Sequence, residues 1–154
     1  MAVNMSALLL SAGCCLISMI IAAKPDSKED NKKWFASLNH PDNAFLLKIM
    51  YILGVVVYLL FGFVLYHIIV GGDVVLIVLM VLLIQLNGIY PYIKYKTKNL
   101  KLFFYSLLAV PALVVVLIFF LLHANIILAI PLIVFFLWVM YDVSYYYRLM
   151  KLNE

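Results

Sequence analysis

Lys48, Asn87, Tyr90 and Asp142 stand inside runs that are otherwise apolar. Polar side chains at membrane depth are costly, so each marks a candidate binding group by default. At 1.5 Å per residue from the nearest helix end, Lys48 lies about 6 Å, Asn87 about 10 Å and Asp142 about 9 Å below one surface. That shared depth points to one polar pocket rather than unrelated groups. Trp138, Tyr141, Asp142 and Tyr145 recur at three- and four-residue spacing and share a helix face, with Trp138 about 15 Å deep. Lys48 and Asp142 are expected to pair, since neither has an oppositely charged residue four positions on. The competing reading has Lys48 snorkelling to the surface, Asn87 bonding a neighbouring helix, and Asp142 taking hydrogen bonds from Tyr51 or Tyr90.

Other chemistries lack the residues to carry them. The sequence has no Gly-rich phosphate loop after a strand, no His-Glu-x-x-His and no G-x-S-x-G. His40, His67 and His123 are dispersed and read as interfacial, so no metal site is expected. Cys14 and Cys15 are adjacent, where a disulfide is strained, and read as small helix-packing residues. Near the C-terminus, Tyr146 and Tyr147 sit where an interfacial aromatic belt belongs. Val143, Tyr147 and Lys151 satisfy a short cholesterol-recognition pattern that many helix ends also satisfy.

The elements that must position these groups follow from composition. Of 154 residues, 68% are hydrophobic and 12% charged, against about 45–50% apolar in soluble domains. Mean hydropathy is +1.15. A water-soluble globule is excluded, and residues 1–154 read as a single membrane-embedded domain. Five spans are expected, about 4–23, 45–70, 74–93, 102–122 and 126–147, each near the ~20 residues that cross hydrocarbon. Between them lie a polar stretch from Lys24 to Asn43, the turn Gly71-Gly72-Asp73, a basic stretch from Lys94 to Lys101, and His123-Ala124-Asn125. With no barrel-type alternation, the fold class is an all-α membrane protein, a five-transmembrane-helix bundle.

Lys24, Lys28, Lys32 and Lys33 lie in the first loop, Lys94, Lys96, Lys98 and Lys101 in the third, and Arg148 and Lys151 in the tail. The opposite side has no lysine or arginine, which predicts an N-terminus outside and a cytosolic C-terminus. The same clustering between apolar runs reports orientation toward a lipid bilayer and argues against a nucleic-acid partner. The first span lacks the positive leader of a signal peptide and reads as a retained helix.

Specific strings then carry a resemblance. Trp34-Phe35-Ala36-Ser37-Leu38-Asn39-His40-Pro41 looks like the W-Y-x-x-L-x-K-P loop of the translocator protein family, also called peripheral benzodiazepine receptors or tryptophan-rich sensory proteins. Leu86-Asn87-Gly88-Ile89-Tyr90-Pro91 is similar to its L-N-x-x-W-S. Leu137-Trp138-Val139, Tyr147 and Lys151-Leu152-Asn153 are similar to its L-W-V, Tyr and R-L-N endings at matching spacing. The resemblance runs over about residues 5–153. It implies a five-helix bundle whose pocket opens toward the cytosol, binds porphyrins, sterols and synthetic aromatic ligands, and is roofed by the first loop. By position, Trp34 and Pro41 would belong to the roof, Asn87, Tyr90, Trp138 and Asp142 to the pocket wall, and Tyr147 and Lys151 to a sterol-facing patch. The implied partners are a tetrapyrrole, haem included, or a sterol, and a second copy in a homodimer. The favoured host is the bacterial inner membrane, with the mitochondrial outer membrane as alternative.

The departures are specific. The family's tryptophan and paired prolines after the loop motif are missing, Tyr90 replaces a tryptophan, and Asp142 stands where the family usually has alanine beside the ligand. Some bacterial relatives are described as breaking down porphyrin photochemically through their tryptophans, of which this chain has two. The expected function is therefore a non-enzymatic receptor or carrier for a flat hydrophobic ligand, without a resident cofactor. Its candidate ligand set is Trp34, Pro41, Lys48, Tyr51, Asn87, Tyr90, Trp138, Tyr141, Asp142 and Tyr145, with Val143, Tyr147 and Lys151 as the sterol patch. The alternatives are a transporter of a small hydrophobic or anionic solute, with Lys48 and Asp142 as gating charges, and a structural subunit of a membrane assembly.

Overall fold

The computed structural model describes residues 3–41 and 50–154, with side chains in the second stretch from residue 53 onward. The described elements are α1 (Met5–Asp26), α2 (Glu29–Ala36), α3 (Met50–Gly71), α4 (Val74–Thr97), α5 (Leu100–Leu107), α6 (Ala109–Ala124) and α7 (Ile126–Leu152). Five helical stretches are long and apolar enough to cross a membrane: α1, Leu53–Gly71 within α3, α4, the joined α5–α6, and α7. Their surfaces are apolar all round, because one side faces the core and the other faces lipid.

The helix ends opposite the basic residues are set by local chemistry. Asn4 Oδ1 accepts from Ala7 N at 3.1 Å, Asp73 Oδ1 from Leu76 N at 3.0 Å, and Asn125 Oδ1 from Ile127 N at 3.0 Å. Each cap satisfies one of the amides that a helix start leaves without a carbonyl. Between α3 and α4, Gly72 takes φ 75°, a left-handed turn that glycine enters without a Cβ clash.

At the other end the spans run longer than hydropathy suggests. α1 ends at Asp26 with Pro25 in its last turn. α4 continues through Lys94 and Lys96 until Lys98 adopts a left-handed conformation and Asn99 caps α5 through Leu102 N at 3.0 Å. The basic stretch expected as a loop from Lys94 is thus largely helix. The fourth span breaks at Leu108, where Pro111, lacking an N–H, cannot bond the carbonyl of Leu107.

α4 is central, touching α1, α3, α5 and α6, while α7 packs on α6, α5 and α3. The second and fifth spans are therefore neighbours. Phe61, Leu65, Met80, Leu83, Leu117 and Leu132 are among the fully buried side chains of the bundle core. α1 and α4 approach closely at Gly88, where an added Cβ would lie 2.8 Å from the Ser18 carbonyl oxygen. Ser18 Oγ donates to the Ile84 carbonyl at 2.5 Å, linking the two helices in addition to packing.

Candidate functional site

The end of the bundle that carries the basic residues is covered by α2 and the segment after it. Glu29 and Asp30 begin α2 and Lys33 lies in its last turn, a charge order that complements the helix dipole. This eight-residue helix has no buried residue, so it rests on the bundle through its aromatic side chains. The Trp34 ring meets Tyr95 edge-on at 5.9 Å, and Phe35 meets Tyr95 at 6.4 Å and His40 at 4.9 Å.

Two polar straps hold this roof to α7. His40 Nε2 lies 2.8 Å from the Phe35 carbonyl, which only accepts, so this nitrogen carries the hydrogen. In the neutral ring, Nδ1 then accepts from the Tyr145 hydroxyl at 2.8 Å. Asn39 N donates to Asn153 Oδ1 at 2.9 Å, and Asn153 Nδ2 returns a bond to the Asn39 carbonyl at 3.0 Å. Pro41 is buried at the end of the strap. Beyond the spans, the Glu154 carboxylate accepts from Lys151 at 2.8 Å and meets Lys101 Nζ at 3.2 Å. Hydrogen bonds from Lys151, then Lys101, hold this carboxyl below the usual range.

Beneath the roof lies Lys94, 7% exposed. Its ammonium is 4.7 Å from the centre of the Phe35 ring, 4.3 Å from Tyr95 and 5.8 Å from Tyr146. It reaches Asp26 Oδ1 at 4.0 Å and the Tyr146 hydroxyl at 3.5 Å. A buried ammonium survives only with such compensation, from opposite charge and from ring faces. Asp142 also interacts electrostatically with Lys94, and its Oδ1 is enclosed with no hydrogen-bond partner among the described residues. Tyr146 extends the aromatic wall toward α5, meeting Phe103 at 4.7 Å.

The candidate residues divide among several settings. Trp34 and Pro41 belong to the roof, and Tyr145 anchors it. The Trp138 and Tyr141 rings meet at a tilt, 5.6 Å apart, along α7. Asn87 lies beside the Tyr58 hydroxyl, which also meets Ser18 at 3.2 Å, between α1, α3 and α4. Tyr90 donates to the Ser106 carbonyl at 2.6 Å, at the break in the fourth span. Asn87, Tyr90 and Asp142 thus take different partners. Lys48 lies outside the described residues, as does the Tyr51 side chain, and with them the expected Lys48–Asp142 pair. Val143 is partly buried against the core, Tyr147 packs on Phe104 at 5.6 Å, and Lys151 is exposed.

Lys94, Asp26, His40, Tyr146 and Asn153 are the residues that sequence reasoning left out of the site. For Lys94 a signal existed: it falls seven positions after Asn87 and four after Tyr90, on the same helical face. Among the described residues, no three His, Cys, Asp or Glu side chains converge as a metal site needs. The arrangement suits orientation and binding of a ligand by rings and a few charges.

A concavity of about 420 Å³ runs between α1 and α3 toward the opposite end, past Ala12, Cys15, Met19, Leu59, Gly62 and Phe63. Its lining is almost wholly apolar.

Comparison with curated proteins gives no match. A model of the TspO/MBR family matches residues 7–151, so with five membrane-length helices and a first loop folded over the basic end, the chain belongs to the TspO/MBR family.

Proposed function

We propose that the protein is a non-enzymatic membrane receptor or carrier that binds a flat hydrophobic ligand, a tetrapyrrole or a sterol, beneath the roof. The observation that carries this reading is how the roof is held. α2 buries none of its residues, and its straps are hydrogen bonds each worth about 1 kcal/mol net. A cover held by a few such bonds can lift and reclose, admitting a ligand to Tyr95, Tyr145 and Tyr146, which are buried beneath it. Family membership supports ligand binding or transport in general terms.

The basic end faces the cytosol in this proposal, because Lys24, Lys28, Lys32, Lys33, Lys96, Lys98, Lys101, Arg148 and Lys151 all flank it. The N-terminus is then outside, and a bacterial inner membrane is the favoured host. Spectral titration of the purified protein with a porphyrin, read also as quenching of Trp34 and Trp138, tests the reading. Saturable quenching that weakens in Trp138→Phe supports a ligand within the bundle. If Trp34→Phe abolishes quenching while Trp138→Phe leaves it unchanged, the ring sits directly under the loop and not deeper in the bundle. Absence of any saturable spectral change contradicts the proposal. Flux of the bound ligand into liposomes separates carrier from receptor.

A further inference from the structure

We propose that the aromatic cluster beneath the roof selects planar ligands bearing a positive charge, that Asp142 reads this charge, and that Lys94 occupies the cluster as an internal cation. The inference rests on the ligand-binding reading above and deepens it. Three rings, Phe35, Tyr95 and Tyr146, surround the Lys94 ammonium at 4.7, 4.3 and 5.8 Å. This is the geometry by which aromatic faces hold cations, organic ammonium groups included.

The charge balance points the same way. Asp26 and Asp142 both act on Lys94, so two carboxylates share one ammonium among the described residues of this cluster. Asp26 takes it at 4.0 Å, while Asp142 Oδ1 is enclosed without a hydrogen-bond partner among the described residues. A buried carboxylate oxygen without a donor is expensive, and a ligand N–H or ammonium supplies what it lacks. A ligand carboxylate would instead meet two like charges, with the nearby lysine already engaged. A planar ring with one cationic substituent therefore matches both the aromatic walls and the unanswered charge.

The test uses the full-length protein in nanodiscs of zwitterionic lipid and three porphyrins of one macrocycle: the uncharged parent, a derivative with one aminomethyl group, protonated to a primary ammonium, and one with a single carboxylate. Binding is read by the shift of the porphyrin absorption band. The expected result is that the ammonium derivative binds about tenfold more tightly than the carboxylate derivative, a factor well within one partly screened charge contact. Asp142→Asn should bring the two within about twofold of each other, a difference of under 0.5 kcal/mol. The comparison in the unaltered protein requires no variant to fold. Equal affinity for the two charged derivatives, or tighter binding of the carboxylate, overturns the inference while binding of the parent preserves the ligand-binding reading. A pair between Asp142 and Lys48 would show itself as such equal affinity. A preference that survives Asp142→Asn also overturns the assignment to Asp142. If no porphyrin binds, both the reading and the inference fail.

Discussion

The two ends of the bundle are built by different means. At the end opposite the basic residues, Asn4, Asp73 and Asn125 each cap the helix that follows them, and Gly72 turns the chain by its own left-handed φ. These caps and this turn are local, within a few residues; one exposed bond, from Asn4 N to the Tyr66 hydroxyl at 3.3 Å, crosses 62 residues. At the basic end, Tyr145 meets His40 across 105 residues and Asn153 meets Asn39 across 114, and Lys94 joins α1, α2, α4 and α7. One end is closed by turn chemistry, and the other by a cover whose contacts depend on the bundle having already formed. Rigid turns and a separable cover are a reasonable division of labour for a protein that must admit a ligand from one side, since the least stable parts of a fold are where gating belongs.

The contrast can be broken most strongly at Lys94. Lys94→Ala leaves Asp26 and Asp142 without their shared cation, and a thermal melt in detergent should show a loss of about 3 kcal/mol, because removing one partner strands buried charge. Lys94→Met combined with Asp142→Ala should lose less than the sum of the two single changes, the mark of direct coupling. Strictly additive losses would show that the two residues do not interact.

Removing both straps, with His40→Ala and Asn153→Ala together, should cost about 2 kcal/mol by loss of their hydrogen bonds. The loss should be confined to the roof: hydrogen exchange should speed up over residues 29–41 while α3 and α6 stay protected. Exchange that speeds up everywhere would mean the roof is part of the global fold and not a separable cover.

Asp73→Ala makes the opposite comparison. It should lower overall stability by about 1 kcal/mol through the lost cap and leave porphyrin affinity unchanged, as a local turn far from the aromatic cluster should. A weaker affinity in this variant would join the two ends. The smallest effect is expected at the exposed Glu29–Lys33 pair, 3.9 Å apart, where Glu29→Gln should change stability by under about 0.5 kcal/mol.

The same contrast explains what could be read from the sequence. The five apolar runs, the Gly71-Gly72-Asp73 turn and the Asn125 break are written in nearest-neighbour chemistry, so hydropathy and turn signals recover them. Lys94 was lost to the same logic. A run containing Lys94, Lys96 and Lys98 reads as a polar loop, although Lys94 points inward to rings supplied by α2 and α7, which no local window contains. His40 is equally silent, because its partner Tyr145 is brought to it only by the packing of the last helix. The four polar residues at similar depth were expected in one pocket; depth along a helix does not specify which neighbour a side chain faces, and Asn87, Tyr90 and Asp142 face three different ones.

The central claim, that a planar ligand binds beneath the roof and not in the apolar α1–α3 groove, is tested most directly by hydrogen exchange of the whole protein with and without a saturating porphyrin. The account predicts added protection in residues 29–41 and in the last three turns of α7, with no change over residues 71–75. Protection that appears instead along residues 8–19 and 55–66, the walls of the groove, would contradict it.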